Sequence, residues 1–262
     1  MAEVTVRQGA VALVTGAAGG IGRAVVRALA ERGTAVAAVD RDHGSLRTCV
    51  AELSRSGLPV TACPADVTDA DEVEAAVAMA EERLGPVEYL VNAAGLLHMG
   101  PVRELSPRDW AAMFAVNAAG VFHVSRAVVD RMVPRGRGAV VTVASNAAAT
   151  PRAKMAGYAA SKAAATMFTK SLGLEVARHG IRCNVVAPGS TETPMLWSMW
   201  ADDSGRAHTL HGSADDFRVG IPLGRTARPE DVAAAVLFLL SEQARHITLH
   251  DLTVDGGASL GA

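Results

Sequence analysis

The chain has 262 residues, half of them hydrophobic and a fifth charged, with a formal net charge of −2. That is long enough to bury a large core and too apolar for a disordered protein, while so small a charge gives no field to hold nucleic acid or an anionic membrane surface. The three cysteines, Cys49, Cys63 and Cys183, are too scattered for a disulfide framework and have no metal-ligand spacing, which leads us to expect no metal and a cytoplasmic location.

No signal peptide is expected, because the first residues lack a charged stretch followed by a long apolar run. No apolar stretch is expected to reach bilayer-spanning length, the longest candidate being 232–240.

Short apolar runs alternate with helical patterns along the chain. A strand is expected over 10–15, a helix over 21–31, and a second strand over 35–39 that ends in Asp40. A helix over 46–54 and a strand over 60–63 follow, with Asp66 just beyond. Thr68 is the expected cap of a helix over 71–84, which Gly85-Pro86 ends. Then come a strand over 89–92, one long helix over 109–132 and a strand over 139–144. A second long helix (158–179), a strand (181–187), a helix opening on proline (229–241) and a last strand (247–254) complete the pattern. Apolar strands each followed by a helix predict a single α/β domain, a Rossmann-like doubly wound parallel sheet with helices on both faces. The irregular stretch 189–228 is too long for a neutral connector and reads as a lid over a site.

The run Thr15-Gly16-Ala17-Ala18-Gly19-Gly20-Ile21-Gly22 lies between the first strand and the first helix. Glycines there let the backbone turn sharply and approach a pyrophosphate, which the helix N-terminus favours. Gly16, Ala18, Gly20, Ile21 and Gly22 are therefore candidate dinucleotide contacts. Asp40 closes the next strand, where a carboxylate accepts from both ribose hydroxyls and repels a 2′-phosphate. That predicts NAD in preference to NADP, with Arg41 as a competing phosphate partner. Asp66, with Val67 beside it, could accept from an adenine amino group. Asn92, Ala93 and Gly95 sit at the same carboxyl edge, and the small residues admit a ribose. Asn92 could also tie adjacent strands together, a role compatible with the first.

Tyr158 and Lys162 are four residues apart and so share a helix face. A tyrosine with a pKa of about 10 is a poor base near neutrality. Lowering it by two to three units takes roughly 3–4 kcal/mol, which a close ammonium plus a nicotinamide charge could supply. Ser145 ends the fifth strand and faces the same edge, where its hydroxyl could hold a substrate oxygen beside the tyrosine.

TGAAGGIG, NAAG, Ser145, YAASK and PGSTET occur in an order and at spacings that resemble the short-chain dehydrogenase/reductase family over nearly the whole chain. The resemblance implies a catalytic tetrad. In it Ser145 orients the substrate, Tyr158 is the acid/base, Lys162 lowers the tyrosine pKa and binds the nicotinamide ribose, and Asn117 holds a water linking Lys162 to solvent. It also implies that Pro188, Gly189, Thr191 and Thr193 hold the nicotinamide carboxamide and phosphate.

Longer stretches, among them VNAAGLLHMG, VTVASNAAATPR and GIPLGRTARPEDVA, resemble a branch of that family acting on a small carboxylated cyclohexadiene. That implies oxidation of a ring alcohol by NAD, drawn forward by aromatisation. An analogue with an amine at the neighbouring ring carbon fits equally. A 3-oxoacyl thioester reductase is disfavoured by Asp40 and by the acidic residues Asp202, Asp203, Asp215 and Asp216. A nucleotide sensor without turnover is disfavoured by the complete tetrad.

A buried carboxylate needs a cation or several donors. Arg152, between Ser145 and Tyr158, could grip one bidentately or could simply face solvent. Lys154 is a weaker candidate. Leu97, His98 and Met99 follow the NAAG turn and could line a ring pocket. Met195, Leu196, Trp197, Met199 and Trp200 form an apolar patch that could close over a flat ring or pack on a neighbouring subunit. The family resemblance, with the small residues of the two long helices and the apolar segment 247–262, implies a homotetramer.

Overall fold

The computed structural model describes residues 5–200 and 204–261; Asp202 and Asp203 therefore lie outside the described residues. Valine- and alanine-rich runs form the central strands β1 (Val11–Thr15) and β2 (Ala35–Val39), joined by helix α1 (Gly20–Ala30). Both strands are almost wholly buried, and alternation sends their side chains to two cores. Ala12, Val14, Val36 and Ala38 pack in one core; Val11, Leu13, Ala37 and Val39 pack in the other.

Helix α2 (His43–Arg55) starts three residues earlier than the apolar pattern predicts, because the Asp42 carboxylate accepts from the N–H groups of Gly44 and Ser45. After β3 (Val60–Ala62), helix α3 (Ala70–Leu84) is capped by Asp69 and not by Thr68. The Thr68 hydroxyl instead donates to Asp66 Oδ1 at 2.8 Å.

Strand β4 (Val87–Asn92) leads to one continuous helical stretch, Pro107–Arg135. It comprises α4 (Pro107–Phe114), a π-helical turn (Ala115–Ala119), α5 (Gly120–Met132) and a closing 3-10 turn. Contrary to the sequence expectation, this stretch is long enough to cross a membrane and contains an 18-residue window apolar enough by composition to do so, with a mean hydropathy of 1.4. Over half of that apolar window (56%) is buried in the fold, as the core helix of an α/β sheet requires.

Strand β5 (Gly138–Val143), helix α6 (Ala156–Val176) and strand β6 (Ile181–Pro188) follow. The stretch 189–228 is less irregular than its sequence suggests. It contains α7 (Pro194–Trp197), α8 (Ser204–His211) and a ribbon in which Gly212–Ser213 pairs antiparallel with Arg218–Val219. Helix α9 (Pro229–Leu240) and a final strand, β7 (Asp251–Val254), end the fold. That strand is shorter than expected, because Leu249 takes a left-handed conformation (φ 62°) and the chain joins the sheet only after it.

The seven parallel strands stand in the order β3-β2-β1-β4-β5-β6-β7. One core packs α1, α2 and α9 on the sheet and the other packs α3, α5 and α6. The chain moves outward from β1 to β3, then crosses back to β4 on the other side of β1. The direction of winding reverses there, and a crevice opens beyond the carboxyl ends of β1 and β4.

Candidate active site

That crevice is a pocket of about 260 Å³. Gly16, Gly20, Ile21 and Gly22 line it from the loop after β1, Asp40 and Arg41 from the end of β2, and Asp66 and Val67 from the turn after β3. Ala93 and Gly95 come from the turn after β4, and Thr193 from the opposite wall. Gly16 has φ 64°, and a Cβ there would lie 2.8 Å from the carbonyl of Ala93 and the backbone of Ala94. Only glycine lets the two turns close on one another at that point.

Thr15, absent from the sequence-derived candidates, joins the same two turns: its Oγ1 accepts from the N–H groups of Ala93 (3.1 Å) and Ala94 (3.2 Å). Asp40 ties the loop down from the far side. Its carboxylate accepts from Ala18 N (3.1 Å) and Asp42 N (3.0 Å), so the N–H of Ala18, which is not among the lining residues, is spent on holding the loop.

Helix α1 begins at this pocket with no side-chain cap and no acidic residue in its first turn. Its N–H groups are thus open to an anion, and the close-packed glycine turn admits backbone-distance approach; these residues fit a dinucleotide.

Asn92 does not reach the pocket. It is buried, and its Nδ2 donates to Ser125 Oγ (3.0 Å) and Thr142 Oγ1 (3.3 Å), knitting β4 to α5 and β5. The structural tie expected of it is found.

A second pocket of about 110 Å³ adjoins the first and shares Ile21, Thr193 and Met195 with it. Ser145, Tyr158, Leu97, Arg152, Pro188, Gly189 and Thr191 all line this second pocket. Pro188, Gly189 and Thr191 thus share a pocket with Tyr158, and Thr193 and Met195 beyond them reach the glycine-lined crevice as well. Met99 is not among the lining residues and is 42% exposed. The backbone N–H of His98 turns toward Met113 Sδ at 3.4 Å. Lys154 also points away, pairing with Asp216 at 3.3 Å.

The apolar patch divides. Met195, Leu196 and Met199 line the pocket, while Trp197 is half exposed and Trp200 donates from Nε1 to Thr209 Oγ1. Arg218, from the ribbon, is a lining residue that nothing in the sequence singles out.

The four tetrad candidates converge. Ser145 and Tyr158 are hydrogen-bonded, and Lys162 Nζ lies 5.9 Å from the centroid of the tyrosine ring. Lys162 Nζ donates to Val143 O at 2.9 Å. A Cβ on Gly95 would lie 3.4 Å from that nitrogen and 3.6 Å from Asn117 Oδ1, which places both groups at the floor of the first pocket. Asn117 sits on the π-helical turn, where its Nδ2 donates to Leu96 O and Ser161 Oγ (2.8 Å each) and its Oδ1 accepts from Leu96 N (2.8 Å). Its side chain is therefore occupied in holding the turn after β4.

The electrostatics of the protein alone run against the sequence expectation. Burial dominates at both groups, pushing Tyr158 up to about 12, only partly opposed by the bond to Ser145, and Lys162 down to about 8.

A seven-stranded doubly wound sheet, a glycine turn at its switch point and an adjoining serine–tyrosine–lysine cluster define a nucleotide-dependent dehydrogenase of one kind. The chain belongs to the short chain dehydrogenases, whose family model matches residues 10–204. It is 52% identical over 97% of both chains to the 2,3-dihydro-2,3-dihydroxybenzoate dehydrogenase of Bacillus subtilis. It is also 42% identical to the enzyme of that name from Escherichia coli, over 95% of this chain and 96% of the relative. The solved structure of a dehydrogenase/reductase from Sinorhizobium meliloti superposes with a TM-score of 0.86 at 32% identity, covering 97% of this chain and 96% of that one.

Proposed function

We propose that this chain oxidises 2,3-dihydro-2,3-dihydroxybenzoate to 2,3-dihydroxybenzoate, with NAD as the hydride acceptor. The observation that carries the reading is a small pocket holding Ser145, Tyr158 and the guanidinium of Arg152, open onto the glycine-lined crevice. Identity to relatives of that activity over nearly the whole chain supports it.

Gly16, Gly20, Ile21 and Gly22 hold the pyrophosphate side of the dinucleotide, and Asp40 its adenosine ribose. Asp66 and Val67 take the adenine; Ala93 and Gly95 bound the ribose space. Thr191 and Thr193, with Pro188-Gly189, hold the nicotinamide end. When bound, NAD supplies an electrophilic ring carbon that accepts the hydride.

The protein's part is the proton. Ser145 Oγ orients the ring alcohol, and Tyr158 Oη removes its proton as the carbon–hydrogen bond is lost as hydride. Lys162 holds positive charge beside the phenol and so favours the phenolate. The enone left behind shifts one ring proton to become a phenol, and aromaticity makes the oxidation downhill. Met195, Leu196 and Met199, within a lid spanning 189–228, shield the ring from water.

The reading is tested by supplying 2,3-dihydro-2,3-dihydroxybenzoate or its amino analogue, 2,3-dihydro-3-hydroxyanthranilate, with NAD and following NADH absorbance. Faster turnover of the diol is expected; turnover of the amine alone would overturn the substrate assignment.

The quaternary proposal is a homotetramer. Trp110, Phe122, Met167 and Leu174 from α4, α5 and α6 are large apolar side chains exposed in one protomer, as subunit burial would require. Light scattering at micromolar concentration is expected to give four times the chain mass, and a monomer mass would refute it.

A further inference from the structure

The pocket beside Tyr158 holds two cations. Arg218 lies on the second strand of the short ribbon, with Phe217 (97% exposed) before it and Val219 (45% exposed) after it. Both apolar neighbours are exposed, while the arginine lines the pocket that Arg152, Ser145 and Tyr158 also line. Arg218 Nη2 donates to Ser190 Oγ at 3.0 Å, but its Nε is buried without a hydrogen-bond partner. Arg152 Nη2 donates only to a backbone carbonyl, that of Ala258, at 3.2 Å.

The nearby carboxylates are already engaged. Asp216 pairs with Lys154. Asp255 accepts from Asn146 Nδ2 (3.1 Å), Ser259 Oγ (2.6 Å) and the N–H groups of Gly257 and Ser259 (2.9 Å each). Among the described residues, no carboxylate forms an ion pair with either arginine. Burial first, and the neighbouring charge of Arg152 second, push Arg218 down from its ordinary value. Two partly buried like charges facing one small cavity, one with a donor to spare, are an arrangement that a single bound anion relieves.

We propose that Arg218 and Arg152 form a two-armed clamp for the ring carboxylate of the substrate, with Arg218 selecting carboxylated rings over uncharged ones. The identity of the ring rests on the function proposed above; the clamp itself rests on the paired guanidiniums. Planar forks suit the task, because each can present two parallel N–H groups to a carboxylate. The clamp also ties catalysis to the lid, since Arg218 belongs to 189–228 and Arg152 to the loop before α6.

The test compares wild type with Arg218→Gln and Arg218→Lys on two substrates. One is 2,3-dihydro-2,3-dihydroxybenzoate and the other is cyclohexa-3,5-diene-1,2-diol, which lacks the carboxylate. Calorimetric titration of the enzyme–NAD complex with 2,3-dihydroxybenzoate and with catechol provides a second readout. In Arg218→Gln the preference for the carboxylated substrate, as a ratio of kcat/KM, is expected to fall roughly 10- to 100-fold. The loss should fall mainly on KM, with a matching loss in affinity for 2,3-dihydroxybenzoate relative to catechol. Arg218→Lys, which keeps the charge without the fork, should recover part of that preference; it also carries the test if the glutamine variant does not fold.

An unchanged preference would overturn the clamp. So would an equal loss on both substrates, which marks a scaffold for the ribbon. If wild type fails to oxidise the carboxylated diol yet binds 2,3-dihydroxybenzoate in an Arg218-dependent way, the clamp stands and the function proposed above falls.

Discussion

Replacing Tyr158 with phenylalanine is expected to lower kcat roughly 1,000-fold or more on the dihydro acid, while the protein still folds and binds NAD. The ring itself is a packing element, 7% exposed and clustered with Met113 and Ala147, and phenylalanine keeps that packing. What is lost is one hydroxyl, together with its hydrogen bond to Ser145. In the protein alone that hydroxyl is far from being a base. Burial pushes it up to about 12, so the phenolate is scarcely formed near neutrality.

Lys162 stands close enough to help, but its own burial brings it to about 8, so only below that pH is it mostly an ammonium. In the proposed reaction the positive nicotinamide completes the activating field, which couples proton removal to cofactor binding. An ultraviolet titration checks this. The chain has two tyrosines, and Tyr89 is also pushed up by burial, so the Tyr158→Phe protein supplies the baseline. Without NAD, the Tyr158 signal should appear only near pH 12; with NAD its midpoint should move down. A phenylalanine variant turning over at near the wild-type rate would refute the role of the hydroxyl.

Much of this arrangement is legible in the amino acids, for local reasons. The strands read as buried runs because both faces of the sheet are covered, and the glycine turn is forced by steric contact between backbones. What the sequence leaves hidden is equally local. Asn92 lies two residues after Leu90, which packs against the α3, α5 and α6 face, so alternation carries it to that side and away from the crevice. Thr15 looks like one more strand residue until the turn after β4 is folded onto it. The π-helical turn at Ala115–Ala119 has an ordinary helical composition, and nothing in AVNAA marks the extra residue per turn. Arg218 sits in a ribbon whose paired strands are two residues each, too short for any period to show which side faces the pocket. The tyrosine's resistance to ionisation is a matter of burial depth, which spacing along a helix does not measure.

The proposed preference for NAD rests on Asp40, and its replacement should shift the choice of dinucleotide by roughly 10-fold or more. The carboxylate stands on the wall of the crevice at the end of β2, with the exposed Arg41 next to it. Each of its oxygens accepts one backbone N–H, from Ala18 or Asp42, and each keeps a lone pair for a ribose hydroxyl. Hydrogen bonds to a charged group contribute about 1.5–3 kcal/mol, so Asp40→Ala should reduce kcat/KM with NAD by roughly 10- to 150-fold. The same change removes the charge that repels a 2′-phosphate and leaves Arg41 to pair with it, so kcat/KM with NADP should rise.

Alanine also releases Ala18 from its anchor and so loosens the glycine turn, which would weaken both dinucleotides alike. Asp40→Asn separates the two effects, because the amide oxygen can still accept from Ala18 while the charge is gone. If charge governs the selection, asparagine should raise NADP turnover nearly as much as alanine does, with a smaller loss for NAD. Rates with NADP that stay at the wild-type level in both variants would show that Asp40 shapes the loop and does not choose the cofactor.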